Sequence, residues 1–280
     1  MHKVVIQDDF SLVKIARSGQ CFRVHEVDAG WWRFIAQDRV LYIRRAEQPQ
    51  QYSFEKPYAA GVYEISAPQE EWDEFWHKYF DMERNYCAIR QTCDGRSEFV
   101  DTAMRFGAGL RVLNQDSWEM LVTFIISQRK SIPAISRAVE ELSKRFGRPI
   151  CDTEPLFAFP TPAAIAAASD DDLKACGLGY RVSYVRSAAT MVESGELDLA
   201  ALADFSDEDL FAELQRVHGV GKKVANCVCL FGYGRSQMVP VDVWIERAIN
   251  DECAGCDPFA QFGANAGIMQ QYVFYYMTNR

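Results

Sequence analysis

The sequence predicts an α+β protein: an N-terminal antiparallel sheet with helices, followed by a mostly α-helical domain. Three observations carry this prediction. Aromatic and β-branched segments of strand length cluster in the first third of the chain. From Trp118 onward the apolar residues recur at helical spacing. A glycine turn, His218-Gly219-Val220-Gly221, then separates two helical stretches late in the chain.

The elements follow in order. Trp31-Trp32-Arg33-Phe34-Ile35-Ala36-Gln37 and Val40-Leu41-Tyr42-Ile43, separated by Asp38-Arg39, read as two strands of a hairpin. Gly61 to Ile65 is a third strand. Pro68 to Tyr79 has Pro and acids at its start and apolar residues at 72, 75, 76 and 79, the pattern of a helix with one buried stripe. Trp118, Leu121, Val122, Ile125 and Ile126 form the next stripe, and Ile132, Ile135, Val139, Leu142 and Phe146 another, closed by Gly147. Thr161-Pro162 opens an alanine-rich helix, and Ser169 with Asp172 and Ser206 with Asp209 have capping-box spacing. The change from strand to helix patterning divides the chain into 1–102 and 103–280.

The chain has 280 residues, 49% hydrophobic and 25% charged, with a net charge of −9. That is the profile of a globular domain able to bury its own core. The acidic balance argues on its face against a general nucleic-acid or acidic-membrane binder. It is unevenly spread, however. Residues 127–150 hold six basic and two acidic side chains, and residues 211–250 five and three. A narrow basic footprint on an acidic body is therefore expected. The N-terminus turns acidic before any apolar segment develops, so no secretory signal is expected. No apolar run approaches the roughly 18 residues of a membrane span. Nine cysteines are then expected as cytosolic thiols rather than a disulfide framework. Cys253-x-x-Cys256 and Cys227-x-Cys229 are poorly spaced for a metal, and none is expected.

Residues 214–248 are the most informative. A helix ends near Val217 and a new one starts at about Lys222, so free N–H groups at its start can hold an anion such as a phosphate. A plain corner with glycines for packing fits the turn equally well. Lys223 and Cys227 stand i, i+4 on one face of the new helix, where the dipole disfavours an added positive charge. Lys222 points about 100° away around the helix, so only one lysine can share the face of Cys227. Asp242 follows Val239-Pro240-Val241 and precedes another helix. An amine beside a carboxylate suits covalent chemistry. Lys223 as a solvated surface lysine and Asp242 as a simple N-cap are the bland alternatives.

The stretch from Gly219 to Cys227, followed by Val239-Pro240-Val241-Asp242-Val243, resembles the helix-hairpin-helix and Gly-Pro-Asp (HhH-GPD) motif of DNA base-excision glycosylases, in the 8-oxoguanine branch. Three further segments match that branch in order: Ser18-Gly19-Gln20-Cys21-Phe22-Arg23, Gly179-Tyr180-Arg181, and Gly267 to Phe274 with Gln270. The resemblance implies a bifunctional DNA glycosylase and AP lyase acting on double-stranded DNA that contains 8-oxoguanine. The damaged nucleotide is flipped out of the stack into a pocket. Lys223 would be the nucleophile and Asp242 the group that stabilises positive charge on the sugar. The Gly19 carbonyl would accept the N7–H that distinguishes 8-oxoguanine. Cys227 and Phe274 would sandwich the base, and Gln270 would bind its Watson–Crick edge. Arg129 would fill the gap in the duplex, Tyr180 and Arg181 would meet the opposite strand, and Gly219, Val220 and Gly221 would hold the backbone.

The hairpin would span 214–226 and the pocket helix 264–277. No cofactor is required, although the hairpin carbonyls are compatible with a monovalent cation. A cytoplasmic monomer, nucleoid-associated in a prokaryote, is expected. A glycosylase for another damaged purine and a non-catalytic HhH DNA-binding protein are the competing readings. By themselves, Phe274 reads as a core aromatic, Gln270 as a surface amide and Gly19 as a turn. The chain departs from other members at Arg129, where many carry asparagine, at Ala134, where some have an arginine, and at Trp244, where some place a phosphate-contacting histidine.

Overall fold

The computed structural model describes residues 1–47 and 53–280. Its elements run β1 (His2–Ile6), α1 (Leu12–Ala16), β2 (Val24–Asp28), β3 (Trp31–Ala36), β4 (Arg39–Arg45), β5 (Gly61–Ile65), α2 (Gln69–Glu71), α3 (His77–Tyr79), α4 (Tyr86–Cys93) and α5 (Glu98–Gly107). They continue with α6 (Ser117–Ser127), α7 (Ile132–Phe146), α8 (Pro162–Ala167), α9 (Asp170–Ala175), α10 (Val182–Glu193), α11 (Asp207–Gln215), α12 (Lys222–Gly232), α13 (Val243–Glu252) and α14 (Ala266–Asn279). The chain forms two compact units. One comprises Met1–Phe34, Leu41–Asn114 and Arg235–Arg280, and the other Ile35–Val40 and Gln115–Gly234. The first unit is thus discontinuous, whereas the pattern change in the sequence drew one boundary at 102/103.

Five strands form an antiparallel sheet in the order β1-β5-β4-β3-β2. Alternation explains which face is buried. Val4 and Ile6 point inward while Val5 between them is 67% exposed, and Leu41, Ile43, Tyr63 and Ile65 keep the same period. The hairpin and the 61–65 strand stand where the sequence reading put them. Strands β1 and β2 were missed, because β2 (Val-His-Glu-Val-Asp) carries no buried residue to mark a face. The buried face packs on Phe10, Trp76, Tyr79 and Phe80. Phe10 lies edge-on to Tyr63 and Phe80, both at 5.1 Å, and Phe34 to Phe80 at 5.2 Å. Each such pair adds about 0.5–1.5 kcal/mol beyond its burial.

The helix expected over 68–79 is broken by a π-helical turn at Trp72–Trp76. The wider turn puts Trp76 Nε1 2.7 Å from Glu71 Oε1, five residues back, while both Trp72 and Trp76 remain buried. Beneath it lies a buried ionic cluster. Asp9 pairs with Arg90 at 2.6 Å and both side chains are fully buried. Arg111, also fully buried, pairs with Asp8 at 2.9 Å and donates to the carbonyls of Phe80, Asp9 and Arg84. Helix α14 packs on α5, with Phe106 against Tyr275 at 5.6 Å and Gly107 facing the Tyr272 ring, where a Cβ would overlap it. The chain's last helix is thereby part of the first unit.

The second unit is helical. The sequence marked one apolar stripe on α6, yet Trp118 through Ser127 are all buried, because Met120 and Phe124 make the remaining faces apolar as well. Helix α7 buries the middle of its predicted stripe, Ile135, Val139 and Leu142, while Ile132 at its start is exposed and Phe146 at its end is only partly buried. The expected caps are present: Thr161 accepts from Ala164 N, Ser169 from Asp172 N and Ser206 from Asp209 N. Gly147 ends α7 in an extended conformation (φ −79°), not a left-handed one; it is the close approach of the Ala158 carbonyl, which leaves no room for a Cβ, that calls for glycine there.

Candidate active site

The second unit carries the hairpin. Helix α11 ends at Gln215 and α12 begins at Lys222, with Gly221 as an N-cap that has no side chain to offer. The two glycines play different parts. Gly219 sits at φ +85°, and a Cβ there would overlap the Tyr184 ring. Gly221 is extended (φ −93°) and a Cβ would meet nothing within 4 Å. Of the two glycines, only Gly219 takes the positive φ that glycine alone adopts freely. The open space at Gly221 lies where the first amides of α12 lack a side-chain cap, the arrangement that suits an anion. Val220 is buried and its N–H donates to the Val217 carbonyl at 2.9 Å.

Lys223 and Lys222 separate as the helical angle requires. Lys222 is exposed, while Lys223 is half-buried and shares its face with buried Cys227. The Lys223 ammonium lies 3.3 Å from Ser127 Oγ and 5.0 Å from the centre of the Phe124 ring. Ser127 Oγ in turn donates to the Phe124 carbonyl at 2.8 Å, which leaves its lone pairs toward Lys223. Ser127 as a Lys223 partner was not legible in sequence, since 96 positions separate the two. Helix α12 is held on α6 by Phe124 stacked on Phe231 at 5.4 Å.

The loop after α6 is clamped at three points. Gln128 Nε2 donates to the Gly219 carbonyl at 3.1 Å, tying the loop to the hairpin. Lys130 Nζ donates to the Gly177 carbonyl at 2.6 Å. The Arg181 guanidinium donates to the Gln128 carbonyl through Nε at 2.9 Å and also through Nη2, and to Leu178 O at 3.1 Å. Burial, with the Arg181 charge nearby, holds the Lys130 ammonium below its ordinary pKa. Between the clamps Arg129 is exposed in the left-handed region at φ +54°. Tyr180 is 53% exposed, and the buried Arg181 guanidinium lies 4.3 Å from its ring centre. Thus Arg129 and Tyr180 are presented to solvent, whereas Arg181 braces the loop.

The first unit carries the other residues. Asp242 is the N-cap of α13, its Oδ1 accepting from the N–H groups of Trp244 and Ile245, both at 3.0 Å. Oδ2 has no hydrogen-bond partner among the described residues, so one carboxylate serves the cap and still presents an oxygen. Gly19 is at φ +71° and half-buried. On α14 Gln270 is only 2% exposed, and its Oε1 is a buried acceptor without a partner. Such an atom costs free energy unless something donates to it. Phe274 is half-exposed although Tyr272, Val273 and Tyr275 around it are buried, so it is not a core aromatic. Among the described residues no group of three or more His, Cys, Asp or Glu is placed to hold a metal ion. No helix among them is long and apolar enough to cross a membrane.

The glycine hairpin and the aspartate-capped helix that follows it define a helix-hairpin-helix protein of base excision DNA repair. The HhH-GPD superfamily model matches residues 122–254, and the 8-oxoguanine DNA glycosylase N-terminal domain model matches residues 3–121. The solved structure of MBOgg1 in complex with a low affinity DNA ligand aligns with a TM-score of 0.87 at 32% identity, over 99% of this chain and 94% of that one. More narrowly, then, the chain belongs to the 8-oxoguanine DNA glycosylase family. The Clostridium acetobutylicum 8-oxoguanine glycosylase/lyase, in complex with DNA containing cytosine opposite 8-oxoG, aligns with a TM-score of 0.84 at 29% identity, over 96% of this chain and 92% of that one. A probable N-glycosylase/DNA lyase of Methanothermobacter thermautotrophicus is 28% identical over 196 residues, 59% of this chain. The match spans about three fifths (62%) of that relative's length.

Proposed function

We propose that the chain excises 8-oxoguanine from double-stranded DNA and then nicks the strand. Lys223 Nζ attacks C1′ of the flipped nucleotide. The C1′–N9 bond breaks, and its electron pair leaves with the base, which takes up a proton. Opening of the sugar ring gives a Schiff base. Removal of a C2′ proton then breaks the C3′–O bond by β-elimination. The free Asp242 oxygen stabilises the positive charge that develops on the sugar. Gly19 and Gln270 read the base edges, Cys227 and Phe274 hold its faces, and Gly219, Val220 and Gly221 take the backbone. Arg129 fills the vacated stack and Tyr180 acts beside the orphaned base, while Arg181, expected there from the motif, instead holds the loop that presents Arg129.

The observation that carries this reading is Lys223: half-buried at the start of the helix that leaves the hairpin, with a hydroxyl acceptor supplied by α6. Gln270 supports it, because a buried amide oxygen with no internal partner suits a ligand that donates. We further infer a cytoplasmic monomer. It would need no cofactor, and the hairpin is compatible with a monovalent cation, since the Val217 and Gly219 carbonyls each accept one hydrogen bond and keep a second lone pair.

Borohydride trapping tests the mechanism. Duplex with 8-oxoguanine opposite each base is incubated with the protein and reduced. A covalent adduct is expected with the unsubstituted chain and with Lys222→Gln, and not with Lys223→Gln. An adduct that survives Lys223→Gln refutes the assigned nucleophile. Tight binding with no adduct favours a non-catalytic module, and trapping only on another purine lesion changes the substrate.

A further inference from the structure

The Gly19 carbonyl can distinguish 8-oxoguanine only if its direction is fixed, and glycine is the residue least able to fix it. The structure shows how the peptides on either side are held. The Ser18 carbonyl accepts a 2.7 Å hydrogen bond from Gln271 Nε2, across 253 positions of sequence. Ser18 Oγ donates to the Ile15 carbonyl at 2.6 Å and accepts from Gln20 Nε2 at 2.8 Å. Gln20 Nε2 also donates to Arg111 O, and its Oε1 accepts from Leu113 N, both at 2.7 Å. Ser18, Gln20 and Gln271 are all essentially inaccessible to water. Gln20 thus ties Ser18 to the Arg111–Leu113 stretch, whereas Gln271 ties it to α14, immediately after Gln270.

We propose that Gln271 is a positioning residue for lesion recognition. It ties the Ser18-Gly19 peptide to the helix that carries Gln270 and Phe274, so that the carbonyl reading N7–H and the amide reading the opposite edge keep one spacing. This inference rests on the proposed function. Gln271 touches neither the base nor the sugar in that scheme, so its loss acts on base recognition and not on the lysine chemistry.

The test compares two substrates. An 8-oxoguanine duplex requires base recognition, and a duplex with a preformed abasic site requires only the lyase step. Gln271→Met keeps the volume and removes the donor, and Gln271→Glu places an acceptor against the Ser18 carbonyl. Both are expected to lower kcat/KM on 8-oxoguanine about ten- to a hundredfold, the worth of one misplaced hydrogen bond. Cleavage of the abasic duplex is expected to stay within about twofold of the unsubstituted chain, which also reports correct folding. Equal losses on both substrates for both variants would show a merely structural role and overturn the proposal, as would unchanged activity on both. No excision of 8-oxoguanine by the unsubstituted chain would overturn the proposed function itself, and this inference with it.

Discussion

At the residue scale the two hairpin glycines make a sharp comparison. Gly219→Ala forces a Cβ into the Tyr184 ring at φ +85°, so stability and duplex binding are both expected to fall. At Gly221 a Cβ meets nothing in the protein. Gly221→Ala is expected to leave the urea midpoint nearly unchanged and still weaken duplex binding, because the methyl group would occupy the space that the proposed scheme gives to a phosphate. A binding titration beside an unfolding curve checks both. The buried pair Asp9–Arg90 gives a pure stability prediction. Arg90→Leu leaves an unpaired buried carboxylate and is expected to cost about 3–5 kcal/mol in chemical denaturation.

Lys14 supplies a pH dependence. Its ammonium donates to the carbonyls of Phe106 and Ala108 at 2.8 Å each and lies over Tyr58, but burial pushes its pKa from 10.5 down to about 8. Between pH 8 and 10.5 the unfolded chain still binds a proton that the folded chain has lost, so this group makes stability rise with pH across that window. The urea midpoint of the unsubstituted chain relative to that of Lys14→Met is expected to rise between pH 8 and 10.5, the comparison that isolates this group from the buried thiols and phenols titrating nearby.

At the scale of elements, α13 shows one side chain serving two purposes. Asp242 caps the helix through Oδ1, and the proposed chemistry uses its charge. Asp242→Asn retains an acceptor at the cap, so Tm is expected to hold while excision slows by about 10²–10³-fold. Asp242→Ala also loses the cap, and about 1 kcal/mol of stability with it. Loss of Tm in both variants, with equal loss of rate, would reduce Asp242 to a cap. The loop between α6 and α7 makes a related point. Motif order assigns Arg129 in this loop, with Tyr180 and Arg181 from another, to DNA contact; Gln128, Lys130 and Arg181 spend their polar atoms on backbone carbonyls within the unit, leaving Arg129 and Tyr180 outermost.

At the scale of the whole molecule, the acidic balance and the DNA reading are reconciled by how few cations are available. Of the six basic residues in 127–150, Arg145 and Arg148 pair with Asp172 and Asp38, and Lys130 donates to Gly177 O. Arg129, Arg137 and Lys144 have no carboxylate partner among the described residues, and neither has Lys222 in the hairpin. A plot of log binding constant against log salt is expected to have a slope of magnitude below about 5, for a handful of neutralised phosphates. A slope near 10 would require phosphate contacts well beyond these two basic segments.

The local patterns were readable because they depend on neighbours in sequence. The Trp31–Ile43 hairpin, the α7 stripe, the Thr161, Ser169 and Ser206 caps and the 222/223 division of the lysines all follow from a period of two or 3.6 and from short-range hydrogen bonding. Motif order then named the family and its candidate residues. Folding alone decided what lies far apart in the chain: that Ser127 faces Lys223, that Gln271 holds Ser18, that Phe274 stays half-exposed in an otherwise buried run, and that Arg181 turns inward to brace a loop. Side-chain chemistry and spacing restrict what a residue can do, but its partners across 50 or 250 positions are set by packing, and no local pattern encodes them.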